Sequence, residues 1–124
     1  MAEDWSRYTR KQDHSGSFRL VIRQACEQAK QAYMKEISLA DAAGHAGLSV
    51  SHFSALFKQH TGDSYVSYVN RVRIDKAKQL LLEPDLKIYQ VAEMVGFVSV
   101  PYFTRIFKAI AGQSPNAYRK ELGI

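Results

Sequence analysis

The side chains able to do chemistry in this chain are few, and most are poorly arranged for catalysis. There is one cysteine, Cys26, so no intrachain disulfide, four-cysteine zinc site or CxxC redox pair can form. The four histidines, at 14, 45, 52 and 60, lack partners at zinc-finger spacing. No Gly-rich phosphate loop, HExxH or GxSxG appears. The expectation is therefore no enzyme, no metal and no cofactor. What remains is a basic set near the C-terminus. Arg105, Lys108, Arg119 and Lys120 fall between Val100 and Lys120 with no acidic residue among them. Arginine presents a planar fork of donors, lysine a point charge, and both suit an anionic partner. With Lys+Arg at 17 and Asp+Glu at 12, the net charge of +5 permits a polyanion without demanding one.

These side chains need elements to hold them. The chain has 124 residues, 46% hydrophobic and 23% charged, which suits one folded domain rather than disorder. Residues 1–15 are polar and without an apolar period, and are expected to form a flexible tail or linker. From Phe18 the residues Val21, Ile22, Ala25, Cys26, Ala29 and Tyr33 trace one face of a helix. Cys26 on that stripe reads as a small core residue. Ser38 caps a short helix through Ala43, with Gly44 and Gly47 at its end. Ser49 caps a helix with Phe53, Leu56, Phe57 and His60 on its inner face, stopped by Gly62. A long helix is expected over 64–82, about 28 Å at ~1.5 Å per residue, broken by Glu83-Pro84-Asp85. Its two apolar stripes, Tyr65/Tyr68/Val69/Val72 and then Ile74/Ala77/Leu81, suggest packing on one body and then another. Ile88, Val91, Ala92 and Val95 form a further short helix. Ser99 caps one whose buried face is Phe103, Ile106, Phe107 and Ile110, and Ser114-Pro115 opens the last. No strand pattern is found. The expected fold class is all-α, about seven helices.

The second half repeats the first. Leu39 and Ile88, Ala43 and Ala92, and Gly47 and Gly96 are each 49 apart. After one inserted residue in the turn the offset is 50, matching Phe53 with Phe103, Phe57 with Phe107, Lys58 with Lys108, Gly62 with Gly112, Ser64 with Ser114 and Tyr68 with Tyr118. A short helix, a Gly-containing turn and a second helix make a helix-turn-helix. The expected architecture is two such subdomains, 16–63 and 83–124, joined by the linker helix. Major-groove faces on one side of B-DNA recur every ~34 Å, a spacing that a rod of this length, with a subdomain at each end, can serve. A helical protein-interaction module without DNA binding is the alternative.

Several segments resemble the C-terminal DNA-binding domain of AraC/XylS-type bacterial transcription regulators. They are Ile88-Tyr89-Gln90-Val91-Ala92-Glu93-Met94-Val95-Gly96-Phe97, Tyr102-Phe103-Thr104-Arg105-Ile106-Phe107-Lys108, Gly112-Gln113-Ser114-Pro115, Tyr118-Arg119 and Arg73-Ile74-Asp75-Lys76-Ala77-Lys78-Gln79-Leu80-Leu81. Leu86-Lys87-Ile88-Tyr89 is also similar to members fused behind the receiver domain of two-component response regulators. The resemblance implies a sequence-specific activator or repressor that binds double-stranded DNA. The single cysteine, the polar N-terminus and the lack of an apolar run of ~20 residues make the cytoplasm, away from membranes, the expected setting, and two units on one chain allow the domain to bind as a monomer. Residues 1–15 are too short for the sensing domain such regulators usually carry, so the chain is expected to be either a piece of a longer regulator or a stand-alone output module.

By the same motifs the base-reading positions fall on Ser51, Ser54 and Ala55 in the first unit and on Val100, Pro101, Tyr102 and Arg105 in the second. His52 is added as a donor to a base or phosphate. Phosphate contacts are expected from Lys58, Lys108 and Thr104, and from the helix N-termini at Ser49, Ser99 and Ser114. Ser51, Ser54 and Ala55 are too short for two-pronged readout, so the second unit is expected to read bases more directly and the first to act more through position and shape. Arg71, Arg73, Lys76 and Lys78 on the linker helix read equally as a solvated face or as DNA contacts, and Arg73 as a structural residue besides. The first helix and the outer side of the first unit could also touch RNA polymerase or a fused domain.

Overall fold

The computed structural model describes residues 14–123, with side chains from residue 17. Among these residues there are seven helices: α1 (His14–Ala32), α2 (Leu39–Ala46), α3 (Val50–Thr61), α4 (Tyr65–Leu80), α5 (Ile88–Met94), α6 (Val100–Ala111) and α7 (Pro115–Glu121). The all-α expectation holds. The tail expected over residues 1–15 lies outside the described residues except for His14 and Ser15, which are already helical. Gly16 therefore sits inside the first turn of α1, where a glycine costs little because the turn is held by few hydrogen bonds.

The chain divides into two compact units. The first comprises α1 through Ala29 together with Ser38–Tyr65. Its core is Ile22, Ala25, Ala29, Ala43, Phe53, Leu56, Phe57 and Tyr65. Three rings meet there, with Phe57 and Tyr65 edge to face at 5.3 Å and Phe53 against Tyr65 at 5.5 Å. Cys26 is only half-buried. Helix α2 starts where Ser38 Oγ accepts the Asp41 N–H at 3.1 Å. It runs through Gly44 and ends at Gly47, whose φ of 74° lets the chain turn back, so Gly44 is not the boundary its type suggests.

The second unit comprises Lys30–Ile37 and Val66 onward. Residues 30–37, expected with the first helix-turn-helix, cluster here instead, as does α4 from Val66. The core joins Ile74, Ala77 and Leu81 of the linker segment to Val91, Ala92, Val95, Phe97, Phe103 and Phe107. Helix α4 is 16 residues, about 24 Å, rather than the 19 expected. Past Leu80 the Leu82 and Glu83 N–H groups bond to Gln79 and Leu80, a tighter spacing than in an α-helix. The ring of Pro84 would strike the Leu80 carbonyl if the helix continued.

Both units close their helix-turn-helix with the same bonds. Leu48 N–H reaches Ala43 O at 2.9 Å and Phe97 N–H reaches Ala92 O at 3.0 Å. Gly62 N–H reaches Lys58 O at 2.8 Å and Gly112 N–H reaches Lys108 O at 2.9 Å. The change of offset falls between Phe97 and Ser99, which makes Val98 the inserted residue. It is 95% exposed, so the extra residue bulges into solvent and leaves the core untouched.

Candidate nucleic-acid interface

In the first unit, packing of Phe53, Leu56 and Phe57 turns the opposite face of α3 outward. Ser51, His52, Ala55, Lys58 and Gln59 are exposed there, and Ser54 is half-buried. Ser49 Oγ accepts the His52 N–H at 3.1 Å, leaving the Val50 and Ser51 N–H groups at the helix start without an intrahelical partner. The His52 ring meets Phe18 edge-on at 5.3 Å, so this exposed imidazole is also braced by α1. Ser51, Ser54 and Ala55 form a shallow, short-chained surface.

In the second unit Phe103 and Phe107 are fully buried, and α6 exposes Val100, Pro101, Arg105 and Lys108. Tyr102 and Thr104 are half-buried. Ser99 Oγ takes the Tyr102 N–H at 3.2 Å, and Pro101 has no N–H. That leaves the Val100 N–H as the donor at the start of α6, fewer than at α3. Helix α7 is similar: Pro115 has no N–H, and the half-buried Ser114 takes the Ala117 N–H at 3.1 Å. The guanidinium of Arg105 lies over the Tyr102 ring, 5.1 Å from its centroid. A guanidinium held over a ring face keeps its in-plane donors free for a base edge.

Several cations that looked available are engaged inside the second unit. Arg73 is 8% exposed; its Nε donates to Tyr33 O at 2.8 Å and its Nη2 to Lys35 O at 2.9 Å, while its guanidinium covers the Phe97 ring. Arg119 donates to three carbonyls, Leu81 at 3.1 Å, Leu86 at 2.7 Å and Glu83 at 3.0 Å. Lys76 and Lys78 lie over the rings of Tyr33 and Tyr118. The basic run from Val100 to Lys120 thus loses Arg119 to the fold and keeps Arg105, Lys108 and Lys120 at the surface. Among the described residues no three His, Cys, Asp or Glu side chains gather to hold a metal ion.

Comparison with known proteins bears on this geometry. A family described as a helix-turn-helix domain matches residues 39–121. The C-terminal domain of AraT, a response regulator from Geobacillus stearothermophilus, superposes with a TM-score of 0.77 at 31% identity, over 82% of this chain and 84% of that one. The chain belongs to the AraC-type helix-turn-helix family. The family is one of DNA-binding transcription-regulator domains rather than of enzymes.

The AraC-type domain is also similar to the DNA-binding domain of AdpA, solved in complex with a target DNA, with a TM-score of 0.76 at 25% identity over 81% of this chain and 90% of that one. YfiF of Bacillus subtilis, an uncharacterized HTH-type transcriptional regulator, is 41% identical over 90 residues, which is 73% of this chain and 28% of YfiF. The chain spans 28 to 39% of the length of such curated relatives. No described helix is long and apolar enough to cross a membrane.

One supporting residue escaped the sequence. Asn70 reaches Tyr102 from α4, and Phe97 packs against the same ring at 5.6 Å. Asn70 carries no motif, and its polar side chain at a helical position resembles any solvated residue.

Proposed function

We propose that this domain reads duplex DNA with α3 and α6, each entering the major groove, so that one chain engages two successive groove segments. Arg105, with Val100, Pro101 and Tyr102 beside it, reads bases from the second unit. Ser51, His52, Ser54 and Ala55 face the groove from the first, where short side chains contribute position and shape more than base identity. Lys58, Lys108 and Thr104, with the helix starts at Ser49, Ser99 and Ser114, meet phosphates. The observation that carries this reading is the repeated turn-and-cap geometry, which presents an outward helix face in both units, with Arg105 stacked and exposed on one of them. The likeness to AraT supports a place behind a receiver domain in a cytoplasmic two-component regulator.

In-vitro selection from duplexes with a randomised core, followed by mobility shift at two salt concentrations, tests the proposal. The expected result is an enriched sequence in two patches and a steep fall of affinity with salt. A helical adaptor that does not bind DNA would enrich nothing and show little salt-dependent binding.

A further inference from the structure

Tyr102 is half-buried, and its three contacts explain why. Its ring packs against Phe97 at 5.6 Å, its hydroxyl accepts a hydrogen bond from Asn70 Nδ2 at 3.2 Å, and the Arg105 guanidinium lies over the ring at 5.1 Å. Arg105 follows Tyr102 by three positions, so both project from one face of α6. Asn70 is itself nine-tenths buried on α4. Phe97 is held in turn beneath Arg73, whose two backbone bonds fix it to the loop after α1. The ring of Tyr102 is therefore held by its contact with Phe97 and at its tip by Asn70.

We infer that Asn70 and Tyr102 are positioning residues for Arg105: the ring holds the guanidinium, and Asn70 holds the ring, without Asn70 touching DNA. This deepens the DNA-reading proposal and rests on it. A long arginine side chain loses many rotamers when it binds a base edge. A guanidinium already stacked in place has lost part of that freedom beforehand, so the base pair it reads is discriminated more sharply. The linker helix thereby contributes to sequence choice at a distance from the groove.

The test uses the full chain and the sequence selected from the randomised duplex pool. Asn70→Leu/Tyr102→Phe removes both partners of the hydrogen bond, so no buried donor is left unpaired and folding stability should hardly change. Its discrimination at the base pair lost in Arg105→Ala is expected to fall about 2- to 10-fold, with the thermal midpoint and salt slope retained. In an Arg105→Ala background the same double replacement should have no further effect at the base pair that Arg105 reads. A purely structural role would lower affinity for all duplexes alike, in both backgrounds, and would overturn the inference. So would unchanged discrimination in the double variant while Arg105→Ala erases it, an outcome that leaves the DNA reading standing. Failure of the unaltered chain to enrich any sequence would instead overturn the DNA reading itself, and the inference with it.

Discussion

Three arginines of one unit meet two different fates, decided by what lies within reach of each guanidinium. Arg73 and Arg119 bond to backbone carbonyls at chain reversals; Arg105 points outward over a ring. Arg105→Ala is expected to cost about 1–3 kcal/mol at a single base pair of the selected site and little elsewhere. A uniform loss across sequences would make Arg105 a phosphate contact. Arg119→Met should leave the DNA preference intact and destabilise the fold by about 1–3 kcal/mol, read from urea unfolding, because carbonyls of the 81–86 turn lose their donor. Residue type alone could not sort these roles. The partners of Arg73 and Arg119 lie 33 to 40 positions away along the chain. The outward position of Arg105 was legible because Phe103 and Phe107 fix which way α6 faces.

At the scale of elements, the helix starts were legible wherever a serine accepts the N–H three residues on, as Ser38, Ser49, Ser99 and Ser114 all do. One helix end was not, and at another a false stop stands beside the true one at Gly47. Gly44 resembles a stop but is helical, and α4 stops before its proline because the effect of Pro84 reaches back four residues. The matched glycines of the two turns also differ in a way that sequence alignment hides. Both have positive φ, 74° at Gly47 and 101° at Gly96. A Cβ at Gly47 would meet nothing within 4 Å, whereas one at Gly96 would lie 2.7 Å from Tyr33 O and 3.0 Å from Arg73 Nε. Gly47→Ala should therefore cost about 1–2 kcal/mol, the strain of left-handed backbone alone. Gly96→Ala should cost clearly more, because a backbone carbonyl and a buried guanidinium must shift. Paired thermal unfolding of the two variants measures the difference.

For the whole molecule, the duplication was readable because core spacing and turn glycines recur with a constant offset. The membership of each unit was less so, since residues 30–37 carry no apolar period linking them to Phe97. If both units read DNA, inserting about 5 base pairs, half a turn of duplex, between the two patches of the selected site should sharply weaken binding, while a full turn should restore part of it only if the linker adjusts. Insensitivity to the half-turn would mean that one unit suffices. The fastening of the segment after α1 by Arg73 has a consequence for how this protein breathes. Tyr33 O, Lys35 O and the Phe97 ring share one guanidinium, so releasing any one of them takes a contact from a buried charge. The amides of residues 33–36 and of 95–97 should then exchange with solvent deuterium in a single concerted opening, slowed together and freed together when Arg73 is replaced by methionine.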